Sequence, residues 1–485
     1  MNQTSLVGRM EEDRMMELRS AVGILLGLLA GLLVGFLLTR TRQSGPPPPP
    51  CIRGWIPWLG AALQMRREPL EFIHRSWQKH GPVFTVVTTG NRLTCVSGDE
   101  GMSVFFKSKQ VSLPQALQKP LQHTASIGEE SFNKSHNDLM KMSAFRLSGN
   151  RLDACITLSC SEFSLHLDQL GSQGTKELYN LTREVLYPTM VDNLFGKGVC
   201  PTTKDTIKEF LEHFQTFEEG FVYGSQFPEW VFRNWSVSKQ WLLKMFKNIV
   251  LKEEESNPSE DSAKTFLHHL LDTLKGNCPH NFCLLLLWAS QANSNPITFW
   301  TLAFIISEPE VYKKVINEIT SVFGKGGQHH LSITAIDLKK VPFVKSCVLE
   351  ALRLRSPGVV FRKVVKPLKV YNYEIPPGDM LLLCPYWAHR DPKYFLDPEK
   401  YKPERWTEEM VNNNVFPAGF IGFGGGKYPC PGRWLALMEV HMFVILFLYK
   451  YELELLDPLP KMDNMHFVGV QRPDGPFRVK YKLRE

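Results

Sequence analysis

The sequence predicts a mainly α-helical protein with small β-sheets, built as one large domain behind an N-terminal transmembrane helix. Three observations predict it. The stretches "HNFCLLLLWASQANSNPITFWTLAFIIS" (280–307) and "GRWLALMEVHMFVILFLYK" (432–450) are apolar on nearly every side and far longer than a strand, so they read as buried central helices. Alternating apolar segments are few and short, which suits small sheets. Residues 20–39 carry no charge, and a helix needs about 20 apolar residues to cross a bilayer. A length of 485 residues alone suggests roughly three domains, but a large enzyme can also use one continuous core.

Taken in order, residues 1–19 form a short lumenal N-terminus and 20–39 the signal anchor. Residues 40–60 make a basic, proline-rich linker, and 61–485 the catalytic body. The anchor run "AVGILLGLLAGLLVGFLL" lacks a small-residue cleavage site and is followed by Arg40, Arg42 and Arg53, which favour a cytosolic body. Five consecutive prolines (46–50) fix φ and favour an extended, stiff spacer. "GPVFTVVTTGNRLTCVSGDE" (81–100) is the clearest strand pair, turning at Gly90-Asn91. In "FPEWVFRNWSVSKQWLLKMF" (227–246), Trp230, Phe232, Trp235 and Trp241 alternate with Lys239 and Lys244. That pattern fits either a membrane-interface contact or ordinary helix packing. Residues 251–264 are a charged loop, and 341–356 a second helix near the centre. A small sheet follows over 366–383 with a turn at Pro376-Pro377-Gly378.

The formal net charge of +7 is modest over this length and forms no basic tail, which argues against nucleic acid as a partner. It suits an anionic membrane surface or an acidic protein partner. The ten cysteines include no CxxC pair and read as reduced thiols facing the cytosol.

The stretch "FGGGKYPCPG" (423–432) concentrates four glycines, two prolines and a cysteine. It is not a phosphate loop: the position that needs glycine, with four residues between it and Gly426-Lys427, is Ile421, and Tyr428 follows the lysine. A disulfide has neither a partner nor an oxidising compartment. What remains is a glycine loop that lets backbone approach a flat object, with Cys430 before a helix expected to begin at Pro431. A helix N-terminus there biases Cys430 toward thiolate. These are the needs of a haem iron held by cysteine.

The chain here resembles the cytochrome P-450 superfamily, whose signature runs Phe-x-x-Gly-x-basic-x-Cys-x-Gly. Phe423, Gly426, Cys430 and Gly432 match it, while Tyr428 stands at the basic position with Lys427 one residue earlier. "EALR" (Glu350, Arg353), then "PERW" (403–406, with Arg405), then the cysteine loop follow in the family's order. The resemblance implies the cytochrome P-450 fold and haem b, with Cys430 as axial ligand and sole metal ligand. It places Phe423 beside the sulfur, Gly424, Tyr428 and Gly432 in the haem loop, Arg362 on a propionate, and Glu350, Arg353 and Arg405 as a brace. His389 in "AHRDP" reads as structural.

Family members that activate oxygen carry an acid–threonine pair in the central helix. Here Ala292 opens that motif, Asn295 replaces the acid and Pro296 the threonine, so Asn295 is the expected organiser of a water chain. "LLLLWASQAN", "RNWSVSKQW", "RKVVKP" and "LYKYELELLDPLP" make the resemblance closest in the sterol 7α-hydroxylase branch. It implies 7α-hydroxylation of an oxysterol, with 24-hydroxycholesterol the expected substrate, in cholesterol catabolism and bile acid synthesis. Ala292, Gly358, Val359, Val360 and Val468 would line the apolar pocket. Electrons would come from NADPH through NADPH–cytochrome P-450 reductase docked near Lys427, at the endoplasmic reticulum membrane with the catalytic body cytosolic. The residues alone leave open an electron-independent haem isomerase or dehydratase, and a haem sterol carrier without turnover.

Overall fold

A computed structural model describes residue 27 and residues 46–485, apart from 57, 204, 257, 259, 261–263, 328–329, 357, 464 and 466–467. The expected anchor lies outside the described residues, and among those described no helix is long and apolar enough to cross a membrane. The principal helices are α1 (Leu113–Ala125), α2 (Glu129–Arg146), α3 (Asp153–Asp168), α4 (Leu178–Phe195), α5 (Ile207–Gly224), α6 (Arg233–Ser256), α7 (Pro279–Ser307), α8 (Pro342–Arg355) and α9 (Arg433–Lys450). The strands used below are β1 (Cys51–Ile52), β2 (Val83–Thr88), β3 (Asn91–Val96), β4 (Val111–Ser112), β5 (Gln173–Glu177), β6 (Val360–Val364), β7 (Met380–Leu383), β8 (Tyr451–Leu455) and β9 (Arg478–Leu483).

One sheet runs β1-β2-β3-β7-β6-β4, and a second runs β8-β9-β5. The β2–β3 hairpin turns at Thr89-Gly90, both at positive φ, one residue earlier than the Gly90-Asn91 turn the sequence predicts. Thr94 then pairs in parallel with Leu381, and Leu381 with Arg362, so the sheet delivers Arg362 from β6 to the edge of the helical body.

The helical core is continuous from α1 to the second sheet and encloses α7. Pro279 occupies the first turn of α7, where a missing N–H costs nothing, and Pro309 opens the next helix two residues after Ser307. Trp300 is fully buried on α7, and such a side chain contributes about 2–3 kcal/mol through apolar burial. Pro296 does not break the helix: α7 continues through it, its flanks held by burial on most sides.

The Trp-rich stretch divides between the two readings. Trp230 is 83% exposed, while Trp235 is buried against Gly220 and Gly224, where a Cβ would come within 2.4 Å of its ring. Lys239 is not a basic surface residue. It is fully buried and donates to Glu229 and to the His123 carbonyl, tying α6 to α1.

Candidate active site

The cysteine loop owes its shape to backbone that only glycine adopts freely. Gly424 and Gly426 have φ of +68° and +64°, and a Cβ on Gly426 would lie 2.5 Å from the Phe106 carbonyl oxygen. Cys430 N–H closes the loop by donating to the Phe423 carbonyl at 2.8 Å. Helix α9 begins at Arg433 with Gly432 as its N-cap, two residues later than the sequence suggests, because residues 431–432 form a turn. Cys430 is exposed. Burial nonetheless pushes its thiol up, opposed by the Gly432 N–H, the Arg433 charge and the Arg433 N–H. The start of α9 thus acts toward thiolate while burial acts against it, and a bound cation would add to the thiolate side.

Behind the loop, Glu350 and Arg353 on α8 are both fully buried. Glu350 Oε1 accepts from Arg353 (2.8 Å), Arg405 (2.9 Å) and the Lys402 N–H (3.0 Å). Its Oε2 accepts from Arg353 Nε (2.9 Å) and Trp406 Nε1 (3.0 Å). Arg353 also donates to the carbonyls of His389 (2.6 Å) and Pro398 (2.7 Å). His389 Nε2 in turn accepts from Ile421 N–H at 2.9 Å, at the foot of the cysteine loop. The structure thus brings the three brace residues together and connects them to the loop through His389.

Two further groups face the loop from other elements. Arg362 is 7% exposed and donates to the Phe361 carbonyl, yet among the described residues it pairs with no carboxylate. Burial lowers its pKa to about 10. Its guanidinium lies 5.7 Å from the Tyr428 ring centre and 4.7 Å from that of Phe105. His136 of α2, 9% exposed and with Nε2 unpaired among the described residues, lies 6.1 Å from the Tyr428 ring centre. Burial, then the Lys427 charge, holds His136 below its ordinary pKa. A buried guanidinium without a counterion and a buried ring nitrogen without a partner, both beside a cysteine loop, fit the anionic edge of a cysteine-ligated haem. The sequence reading missed His136, since a lone histidine on a helix carries no spacing signal.

The cleft wall is set by α7. Ala289 is exposed on α7 among half-buried Leu285, Leu286, Trp288 and Ser290, and Ala292 and Asn293 are half-buried on the same side as Ala289. Asn293 Oδ1 accepts from Val470 N–H at 2.9 Å, and a Cβ on Gly469 would lie 2.3 Å from that oxygen. Gly358 packs backbone to backbone on Gly469. Ala292, Gly358 and the Val468–Val470 segment are therefore brought to one wall.

Two expectations need correction. Val359, one residue before β6, is buried in the core of the first sheet with Leu70, Phe84 and Leu382, while Val360 is half-buried against the neighbouring sheet cluster. Asn295 does not face the cleft. Its Oδ1 accepts from Thr182 Oγ1 at 2.8 Å and its Nδ2 donates to the Tyr179 carbonyl at 3.3 Å, both on α4. Two residues along a helix rotate by about 200°, so the asparagine turned to the cleft is Asn293.

A model of the cytochrome P-450 family matches residues 46–481. The chain is 46% identical to a 24-hydroxycholesterol 7-alpha-hydroxylase of Mus musculus, across 90% of this chain and 93% of that protein. It is 45% identical to the Homo sapiens protein of the same name, across 90% and 94%. A 5-beta-cholestane-3-alpha,7-alpha-diol 12-alpha-hydroxylase of Sus scrofa is 27% identical across 91% and 94%. With the family model spanning nearly all of the described body, the chain belongs to the cytochrome P-450 family.

Proposed function

We propose that this monooxygenase 7α-hydroxylates an oxysterol, 24-hydroxycholesterol being the expected substrate, in cholesterol catabolism and bile acid synthesis. The observation that carries the reading is the 45–46% identity to two 24-hydroxycholesterol 7-alpha-hydroxylases over 90% of the chain. The uncharged run at 20–39 would anchor it in the endoplasmic reticulum membrane with the body cytosolic. The exposed Lys427, beside the cysteine loop, suits docking of NADPH–cytochrome P-450 reductase.

When bound, haem supplies dioxygen activation and oxygen insertion into a C–H bond. The chain's own groups do the rest. Cys430 holds the iron, with the N–H groups of Gly432 and Arg433 directed at its sulfur. Arg362 and His136 would receive the propionates beside Tyr428. Ala289 and Ala292 leave room for a flat apolar molecule against α7. Asn293, its oxygen fixed by Val470, keeps its amide N–H groups for a polar partner in the cleft.

The test is a reconstituted assay with 24-hydroxycholesterol, with and without reductase and NADPH. A 7α-hydroxylated product that requires both electron partners is the expected result. An oxygenated product at another carbon would overturn the regiochemistry. A rearranged or dehydrated product formed without NADPH would replace hydroxylation with isomerase or dehydratase chemistry, and binding without any product would leave a carrier.

A further inference from the structure

On the side of α7 turned away from the cleft lies a buried polar cluster that the site above does not use. Gln291 is fully buried, and neither its amide oxygen nor its nitrogen has a partner among the described residues. On α5, Glu218 is buried. Its Oε2 accepts from Arg472 at 2.9 Å and from the Tyr187 hydroxyl at 3.3 Å, while its Oε1 is unpaired. The Tyr179 hydroxyl is also buried, close to the Asn295 amide but without a well-formed hydrogen bond.

The packing of α4 on α7 joins these groups. The Tyr179 ring contacts Phe299 at 5.7 Å between centres, and Thr182 bonds Asn295, so the two helices run in opposite directions. One further turn sets Gln291 opposite residues 185–187 of α4, where Tyr187 reaches Glu218. Buried amide and carboxylate atoms left bare carry a desolvation penalty that water removes, and water enters polar cavities with several such partners.

The cluster has two ends. Arg472, its side chain 16% exposed, is the solvent end. At the cleft end, Pro296 has no N–H, so the Ala292 carbonyl one turn earlier keeps its lone pairs, next to Asn293. Arg472 also follows two residues after Val470, the partner of Asn293, so one segment touches both ends.

Monooxygenation converts a C–H compound, dioxygen, NADPH and a proton into the alcohol, NADP+ and water, and the water oxygen takes up two protons. Helix α7 carries no Asp, Glu, Lys or Arg from Pro279 to Ser307, so that helix has no acid to supply them. We propose that the buried polar cluster between α4, α5 and α7 encloses a water-filled chamber whose water chain carries these protons to the cleft, with Glu218 and Gln291 as positioning residues. Glu218 Oε1 takes a proton from water at the Arg472 end and returns it to water at the Gln291 end. Each transfer breaks one O–H bond and forms one. No electron moves, and the carboxylate is restored after every passage. The inference rests on the monooxygenase reading.

The test uses the full-length protein reconstituted with reductase and NADPH, comparing Glu218→Gln and Gln291→Leu with the unaltered chain. Product formed per NADPH should fall about tenfold, within the range that positioned proton transfer contributes, with the electrons appearing as peroxide. The solvent deuterium isotope effect on product formation should rise, while the sterol-induced optical shift keeps its midpoint because the chamber lies behind the wall. A readout independent of turnover is the melting temperature of Gln291→Leu. A hydrated chamber loses water bridges and the temperature drops, whereas a dry one sheds two bare amide atoms and the temperature rises. Unchanged coupling and isotope effect in folded, haem-loaded Gln291→Leu would overturn the proposal even if Glu218→Gln fails to fold, and so would a raised melting temperature. If the unaltered chain oxygenates no sterol, the functional reading fails instead, and the melting arm alone decides whether the chamber is wet.

Discussion

Exchanging Glu350 for Gln tests the brace behind the cysteine loop, because it changes one atom of a fully buried carboxylate. Five donors converge on that carboxylate: two from Arg353, one each from Arg405, Lys402 and Trp406. A glutamine keeps one acceptor oxygen and turns an NH2 group toward donors that need an acceptor. Removing one partner of a buried charge pair costs about 3–5 kcal/mol, since the remaining guanidinium groups stay in place without compensation. Unfolding entropy of roughly 2 cal/mol/K per residue gives this 485-residue chain about 1 kcal/mol per degree, so the melting temperature should fall by about 3–5 °C. The damage should also reach the iron site, because Arg353 holds the His389 carbonyl and His389 accepts from Ile421 at the foot of the loop. The assay is thermal unfolding of the haem-loaded protein, with the carbon monoxide difference spectrum reporting thiolate ligation. Glu454→Gln, whose partner Lys480 is also exposed, is the control and should shift melting negligibly. A Glu350→Gln protein that melts within about 1 °C of the parent and keeps its thiolate spectrum would refute the reasoning.

Other expectations follow from the same geometry. Glu439 is buried on α9 with its pKa pushed up to about 8 by burial against one hydrogen bond from Asn193. The unfolded chain releases that proton near 4.5 and the folded chain keeps it to about 8, so stability should fall by up to about 1.4 kcal/mol per pH unit across that window. Glu439→Gln should flatten this slope, measured as melting temperature against pH. Asn293→Leu should lower product formed per NADPH and also cost about 1–3 kcal/mol through the bare Val470 N–H. Asn295→Leu should cost a similar amount through the bare Thr182 and Tyr179 groups it leaves, so product formed per NADPH, read side by side for the two variants, distinguishes cleft from core. Gly426→Ala meets both a positive φ and the Phe106 carbonyl, so haem content per protein should drop at about 1–3 kcal/mol of strain, seen as a reduced Soret-to-protein absorbance ratio.

Much of the iron site is local and therefore legible in the sequence. Phe423 to Gly432 is a continuous loop in which Gly424 and Gly426 take positive φ and Cys430 is the expected ligand, and Glu350 with Arg353 is an i,i+3 pair on one helix. The apolar lengths of α7 and α9 likewise announced central helices, since only burial on most sides tolerates such composition. The tertiary structure alone decided which face of α7 meets the cleft. Composition that is apolar all round carries no moment to orient a helix, so only packing on α4 shows that Asn295 bonds Thr182 while Asn293 bonds Val470. His136, Glu218 and Arg472 were invisible for the same reason: each works through partners far away in the chain, and sequence spacing cannot report a contact that folding creates.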